Sequence, residues 1–488
     1  MPTSQRAPVR LQAQPSPHPN PFIQQGPDLT PAKPTCMRIP FFAMIAVCLA
    51  STVGCSGPPR NTSVLNHGDQ ALVANAEQIN RLKEKDFITY DASYRERREI
   101  FGKRLVALAS KLASFQGSGS DMTCSTQIYL ETKWLYDSAA DWVELDRQLA
   151  RLADSLRNNR EPSATSHVFN DGAWGTCYDQ WFLRSEAMLA ALEELYDSGH
   201  APSAPIMRPE PINTPKKLEA YLNRLLVSDI AKTGRDNRAE LGGITTTLSE
   251  AIFKRSVRVW LEMAIDPLPG KARSSSFDEL EVVYDRFIRQ WQDPETGYWG
   301  AWYRSGGQIY KTTDLSITYH TIAYRDGQVN YWPQIIDTTL RISDDPYPYG
   351  WLHDGHFTNH NNYDVARILR YGWPHMTTLQ KQLAREAISR MLDWTLEESL
   401  GTDGTFKIDP TFFSSLAADY YFGVSFLDAI GFWDRTKRFW TNVEFSDAAN
   451  VCRRITARLV TLQLDDYLAV VAQKRLNASC GPSASARR

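Results

Sequence analysis

The sequence predicts an all-α protein. Apolar residues at helical spacing, capping sequences at helix starts and glycines just past helix ends recur along most of the chain. Segments that alternate like strands are few and short, and lie in residues 298–312 and 317–324. With 488 residues, of which 42% are hydrophobic, the chain is long and apolar enough to bury a large core.

The N-terminal region has the features of an export signal. Residues 1–36 are rich in Pro, Gln and Ser, which predicts a disordered leader. Residues 37–55 then combine Arg38, a run of about a dozen apolar residues and small residues before Cys55, as in a signal peptide. The closing Thr-Val-Gly-Cys resembles a bacterial lipobox. This resemblance implies cleavage, lipidation of Cys55 and a lipid anchor in the cell envelope, with Met37 as the true start.

The cysteine residues fit an exported protein. Of the seven, Cys36 and Cys48 precede the predicted cleavage point and Cys55 would be lipidated. No C-x-x-C spacing suggests a zinc site. The remaining four can form two disulfides in three possible pairings. They are Cys124, Cys177, Cys452 and Cys480.

The body of the protein is expected to span residues 76–475, between a polar tether at 56–75 and a disordered tail at 476–488. Capping residues mark several helix starts in this body. They are Thr214-Pro215, before a helix ended by Gly234; Ser276–Glu279, before a helix to about Trp291; and Thr377–Gln380, before a helix ended by Gly401. A last amphipathic helix is predicted over residues 446–462, and the aromatic helix at 416–432 is assigned to the core.

A turn repeats after several predicted helices. It carries an acidic or polar residue, a glycine and an aromatic residue, at 170–175, 293–300 and 402–406. Around the second copy, Phe287-Ile288-x3-Gln292-x4-Gly297-x-Trp299 is similar to the helix-plus-turn motif of terpene-cyclase and glycosidase toroids. The resemblance implies an (α/α)n toroid, an incomplete α/α barrel in which stacked helix pairs share one core.

Residues 299–376 are the densest cluster of chemically active side chains. Five of the nine histidines lie here among many Tyr, Trp and Arg residues, and Pro and Gly residues indicate loops. Such loops on a helical scaffold are typical of a ligand site. The predicted binding residues are Arg304, Tyr310, Arg325, Trp351, His356, Arg367, Arg370 and Tyr371. A second candidate wall is the aromatic stretch Trp174–Trp181, for which core packing is the competing interpretation.

Asn359-His360-Asn361-Asn362-Tyr363 resembles the Asn-His segment of toroidal polysaccharide lyases of the alginate-lyase type, which cleave uronic-acid polymers by β-elimination. The resemblance implies that Asn359 neutralises the substrate carboxylate, that His360 is the base and that Tyr363 is the acid. Tyr310 and Tyr371 remain alternative acids, and His320 is a further catalytic candidate. An anionic polysaccharide is then the partner, and no cofactor is needed.

Other interpretations of this segment stay open. Asn359–Asn362 are also suited to cap a helix from Tyr363 to Tyr371. A zinc or calcium site from His353, Asp354, His356 and His360 is conceivable, although the preceding Pro/Gly run argues against the helix it would need. His320 is also compatible with a core position.

Three further functions compete with a lyase. A glycoside hydrolase would use two carboxylates from Asp314, Asp354, Asp364 and Glu295, although no spacing singles out a pair. A glycan-binding lipoprotein without catalysis is the second. A terpene cyclase is disfavoured by the predicted export and by the lack of an Asp-rich motif. The net charge of −2 gives no indication of nucleic-acid binding.

Overall fold

The computed structural model describes residues 92–117, 122–137, 142–157, 177–197, 199–200, 208–233, 235–305, 307–353, 355–407, 416–462, 464 and 467–480. All of them belong to one unit, Arg60–Arg488. The predicted leader, signal, tether and lipidation at Cys55 lie outside the described residues, as does the first copy of the repeated turn at 170–175.

The described residues are mainly helical, as the sequence predicts. The first helices are α1 (Ala92–Gly117), α2 (Thr123–Asp137), α3 (Trp142–Arg157), α4 (Trp181–Asp197), α5 (Pro215–Leu226), α6 (Ile230–Thr233), α7 (Arg238–Phe253), α8 (Arg255–Ala264) and α9 (Arg273–Trp291). They are followed by α10 (Leu315–Tyr324), α11 (Trp332–Arg341), α12 (Asn359–Gly372), α13 (Thr378–Trp394), α14 (Leu416–Ala429), α15 (Ala448–Leu462) and α16 (Tyr467–Cys480).

Six of the helices form a buried inner set of four and a partly exposed outer pair. Helices α7, α10, α12 and α14 pack against one another in that order, and most of their residues are buried. Helices α11 and α13 lie outside α12 and bury only one apolar stripe, which in α13 consists of Ala384, Ala387, Ile388, Met391 and Leu392. Leu379 and Leu383 share the predicted apolar spacing of α13 but are 65% and 43% exposed.

A small three-stranded sheet lies beside the helices. Strand β1 (Val227–Ser228) pairs in parallel with β2 (Trp302–Ser305), which forms an antiparallel hairpin with β3 (Gln308–Lys311). The prediction of strand within 298–312 is therefore confirmed. The prediction at 317–324 is wrong, because these residues form most of α10. Asp314 caps α10 by accepting a hydrogen bond from the Ile317 amide at 2.9 Å, and burial on most sides hides the helical pattern.

The second copy of the repeated turn follows α9 and packs against the start of α11. The Gln292 side-chain amide donates to the Gly297 and Asn330 carbonyls at 2.8 and 2.9 Å, and the Trp299 indole donates to the Ile288 carbonyl at 2.8 Å. Gly297 has a φ of 71°, and a Cβ there would lie 2.7 Å from Ile335. Only glycine fits this turn without strain. The third copy of the turn has the same two features, a glycine with positive φ and a buried aromatic residue: Gly404 has a φ of 88°, and Phe406 is fully buried.

Helix starts confirm some capping predictions and correct others. Thr214 caps α5, and Thr377 forms a full capping box with Gln380 at the start of α13. Ser276 does not cap α9, which begins three residues earlier at Arg273; its hydroxyl instead bonds the Ala272 carbonyl within the first turn.

The capping box of α13 gives a direct test of this local assignment. Thr377→Ala removes the acceptor of the Gln380 amide, and we expect a loss of about 1 kcal/mol in unfolding free energy. Thr378→Ala, one residue later, is the matched control. Denaturant unfolding of both variants checks the effect, and equal losses would show that the cap contributes nothing.

Two disulfides are formed among the four cysteines that the sequence leaves available. They join Cys124 to Cys177 and Cys452 to Cys480, with Cα–Cα distances of 5.4 and 6.2 Å, and so select one of the three possible pairings. Cys480 of the second bridge lies beyond the predicted end of the body at 475. Helix α16 continues to Cys480, and Leu476 is fully buried.

Candidate functional site

The candidate site is built on the first turns of α12. Thr358 caps this helix, since its hydroxyl accepts a hydrogen bond from the Asn361 amide at 3.1 Å. The helix therefore begins at Asn359, and the prediction that Asn359–Asn362 precede it as a cap is wrong. Thr358 is the cap because its backbone is extended, so that its hydroxyl oxygen reaches an amide of the first turn that has no partner within the helix. Asn359–Ala366 are all buried.

His360 lies at the centre of the cluster. Its ring packs edge-on against Phe422 of α14 with centroids 4.5 Å apart, and the Tyr347 ring lies 6.4 Å away. Nδ1 is 3.0 Å from the Asn361 side-chain oxygen. Burial lowers the pKa of His360 to about 3; the Asn361 contact acts in the opposite direction, and His320 and His353 lower it further. The imidazole is therefore neutral at physiological pH.

The three asparagines of the motif bind protein groups. Asn359 donates to the Ser399 hydroxyl at 2.7 Å, and its oxygen accepts from Thr395 at 3.4 Å. Asn362 also bonds Thr395, at 3.3 Å, in the π-helical turn Thr395–Ser399. These contacts tie α12 to the end of α13. Asn361, rather than Asn359, contacts His360.

Asp364 lies one turn after His360 and is fully buried. Its Oδ2 is 3.8 Å from His360 Nε2, and neither carboxyl oxygen has a hydrogen-bond partner among the described residues. Burial raises the pKa of Asp364 well above its usual value, Arg367 acts in the opposite direction, and Asp314 raises it further. The site thus combines a neutral imidazole with a carboxyl group that favours its protonated form.

Tyr363 is surrounded by aromatic rings and two arginines. The rings of Tyr319, Phe422 and Tyr421 lie 5.5, 6.2 and 6.3 Å from it. The guanidinium groups of Arg367 and Arg475 lie over the Tyr363 ring at 5.9 and 6.0 Å. These distances favour cation–π contacts, and they place two cations beside the phenol.

His320 lies on α10, the neighbour of α12. Its ring stacks on Tyr324 with centroids 5.8 Å apart, and burial lowers its pKa to about 4, with Lys254 lowering it further. Its Nδ1 has no hydrogen-bond partner within the described part of the chain. His320 and His360 interact electrostatically, so the structure brings together two histidines that are 40 positions apart in the sequence.

Two further histidines, His353 and His356, lie in the loop before α12. His353 and His356 face each other across a tight turn, with backbone N–O distances of 2.8 and 3.0 Å. His356 is therefore not on α12 with His360, and it is exposed. Asp354 lies outside the described residues. Among the residues that are described, no three His, Cys, Asp or Glu side chains form a group suited to a metal ion.

Several predicted binding residues have structural contacts. Trp351 is 1% exposed, so its ring is part of the core. Arg370 donates to the Ala429 and Lys437 carbonyls near the far end of α12, and Arg325 pairs with Asp285 at the end of α10.

The other predicted binding residues also contact protein groups. Arg304 lies 3.9 Å from Asp229, and Tyr310 bonds Gln308 within the hairpin. Tyr371 bonds Arg367 at 2.9 Å. From the aromatic stretch, Trp181 opens α4 and packs on Phe182 and Tyr221, which agrees with the core interpretation.

An ion pair between a partly buried arginine and a fully buried aspartate supports the start of α10 beside this cluster. The Arg238 Nε atom lies 2.5 Å from Asp314 Oδ2, and the Arg238 guanidinium lies over the Tyr347 ring at 5.5 Å. Burial raises the pKa of the Tyr347 phenol, and Arg238 acts in the opposite direction. Arg238 thus links α7, α10 and the loop that carries Tyr347.

Sequence reasoning did not place several residues in the His360 cluster, and it named Asp364 only as a possible carboxylate of a hydrolase. The position of Asp364 beside His360 could have been predicted from the local sequence, because residues four apart share a helix face and His360 is four residues earlier. Tyr347, Phe422 and Arg475 come from distant segments, and nothing in their local sequence indicates contact with α12.

No protein-family model, curated protein or solved structure matches this chain. Among the described helices, none is both long and apolar enough to cross a membrane.

Proposed function

We propose that the protein is an exported polysaccharide lyase that cleaves a uronic-acid polymer, such as alginate or glucuronan, by β-elimination. One observation carries the proposal: a neutral imidazole, His360, and a phenol, Tyr363, pack against the same Phe422 ring beside two arginines. This is the set of groups that the reaction needs. The lipobox resemblance at Cys55 supports the location in the cell envelope.

In the proposed reaction, each of these groups carries out one step. Arg367 binds the uronate carboxylate; its Nε has no partner within the described residues, whereas Asn359 is held by Ser399 and Thr395. His360 takes the C5 proton, and the electron pair forms the C4–C5 double bond as the C4–O bond breaks. Tyr363 gives its proton to the leaving oxygen. The products are an unsaturated uronate end and a new free hydroxyl end.

Access to the two groups is part of the proposal. His360 is 8% exposed and Tyr363 is 5% exposed. A substrate therefore has to displace side chains that cover them, among which Tyr347 in the loop before α12 lies near His360. Movement of loops over an active site is common in enzymes.

The proposed scaffold is an (α/α)n toroid. The succession α7, α10, α12, α14 supports it, because α14 also contacts α1 and α1 contacts α2. The Cys124–Cys177 disulfide connects α2 to the residues before α4, and Glu131 of α2 accepts hydrogen bonds from the Asp179 and Gln180 amides there. Helix α4 in turn packs on α7, so the contacts run in a closed circuit.

A glycoside hydrolase is the second candidate, favoured by Asp364. A buried carboxyl group with a raised pKa, close to another acidic side chain, is the usual arrangement of a general acid in glycoside hydrolysis. Asp314 would be the second carboxylate, although it is held by Arg238 and caps α10.

A substrate panel separates the candidates. The purified protein is incubated with alginate, glucuronan and a neutral glucan, while ultraviolet absorbance and reducing ends are recorded together. A lyase raises both signals on a uronate polymer and neither on the glucan. Reducing ends without absorbance would indicate a hydrolase, and binding without either signal would indicate a carrier.

A further inference from the structure

A cavity of about 680 Å³ lies where α1 and α2 meet the loop that carries His353. Its volume falls in the range of small-molecule binding sites. The helical lining residues include Gly102, Lys103, Val106, Tyr129, Lys133 and Tyr136. All of them lie on the described part of the chain, and none of them is among the residues predicted from the sequence.

The cavity is connected to the candidate site through His353. This residue lines the cavity, and its ring lies 6.2 Å from that of Tyr347, which in turn lies 6.4 Å from His360. Helix α1 also packs against α14, the helix that supplies Phe422. One end of the cavity is thus one side chain away from the His360 cluster.

The lining combines apolar and cationic groups. Val106 and the two tyrosines supply apolar and aromatic surface, which suits the faces of sugar rings. Lys103 and Lys133 supply two positive charges against one negative charge, Glu99, which lies 2.6 Å from Lys103. The Lys103–Glu99 pair is mostly exposed, so solvent weakens it and leaves Lys103 able to exchange partners. The lining thus offers ammonium groups next to apolar and aromatic surface, the groups that an anionic ligand with apolar faces would contact.

We propose that this cavity binds the uronate units that adjoin the cleaved bond of the polymer. The proposal rests on the function proposed above and extends it to a place for the polymer chain. Ring faces lie on Val106, Tyr129 and Tyr136, and carboxylates lie near Lys103 and Lys133. Binding there brings the next sugar toward His353 and the His360 cluster.

Filling the cavity tests the inference. Val106 is 50% exposed on α1, so Val106→Trp places an indole in the cavity without disturbing the core. For long oligouronates we expect KM to rise at least tenfold, whereas KM for the shortest cleaved substrate stays within twofold. Val143→Trp is the matched control, since Val143 is a 79% exposed valine of α3 that does not line the cavity. Equal KM changes in the two variants, or none in Val106→Trp, overturn the inference.

Lys133 of the cavity lining provides a second variant. Lys133→Gln keeps the length of the side chain but removes its charge, and it should weaken oligouronate binding while a neutral oligosaccharide is unaffected. Lys111→Gln, on the exposed part of α1, is its control. If Val106→Trp does not fold, as judged by circular dichroism, Lys133→Gln decides: unchanged oligouronate binding overturns the inference.

Direct binding distinguishes failure of this site from failure of the lyase reaction. Calorimetric titration with a saturated oligouronate is carried out on the wild type and on Val106→Trp. Binding that is lost in Val106→Trp supports the cavity even if no polymer is cleaved. Binding that persists unchanged in Val106→Trp, or no binding to the wild type, overturns the cavity site whatever the enzyme does.

Discussion

His360→Gln is expected to lower kcat/KM on a uronate polymer by about 10²–10⁴-fold, the usual contribution of a general base. Glutamine occupies a similar volume, and its side-chain N–H can still donate to the Asn361 oxygen, but it cannot take the C5 proton. Because the imidazole is neutral and buried, its replacement by a neutral amide introduces no charge into the core. The fold should therefore survive, and circular dichroism checks this.

Tyr363→Phe tests the other half of the reaction. The phenylalanine ring keeps the contacts with Phe422 and with the two arginines, and only the phenolic proton is lost. We expect a similar loss of kcat with little change in KM, since the proton is given in the transition state.

His375→Gln, a change at an exposed histidine just after α12, is the control for the histidine change. Activities of His360→Gln and Tyr363→Phe within threefold of the control would contradict the assignment.

Asp364→Asn is expected to make the protein progressively more stable than the wild type as the pH rises. An aspartic acid in the unfolded chain ionises near pH 4. Burial raises the pKa of Asp364 in the folded chain well above that value. At pH values between the pKa of the unfolded chain and that of the folded chain, the folded chain therefore holds one more proton than the unfolded chain. Wild-type stability contributed by this group is then lost with rising pH, at up to about 1.4 kcal/mol per pH unit. The amide variant has no such loss.

Denaturant unfolding at several pH values measures this difference. The unfolding free energy of Asp364→Asn relative to the wild type should increase as the pH is raised above about 4, the ordinary pKa of an aspartic acid. The buried histidines act in the opposite direction, since their lowered pKa values make stability rise with pH, but they are present in both proteins and cancel. Asp393→Asn, on the exposed face of α13, is the control. A difference that does not change with pH would show that Asp364 is ionised in the folded protein.

The sequence predicts the local features of the fold well. The caps at Thr214 and Thr377, the strands within 298–312 and the four disulfide cysteines depend on residues close together or on residue type alone. The turn after α9 is also predictable, because Gln292 and Trp299 bond groups within their own segment.

The errors occur where tertiary contacts override local patterns. Residues 317–324 have the apolar alternation of a strand, but α10 is buried on most sides and so loses its helical stripe. Arg370 lies on the same helix as His360, yet it is ten residues later and bonds the end of α14. The candidate site itself joins side chains from several separate segments, and no single segment indicates which others it meets.

The most direct test of the account is a C5-deuterium isotope effect. Wild-type protein is mixed in excess with oligouronates carrying hydrogen or deuterium at C5, and the first turnover is followed by ultraviolet absorbance. Unsaturated product is expected to form, and deuterium at C5 is expected to slow its formation, whereas deuterium at C1 is not. Cleavage without absorbance, slowed by deuterium at C1 and not at C5, would contradict the proposed lyase reaction, because that is the pattern of hydrolysis through an oxocarbenium-like transition state.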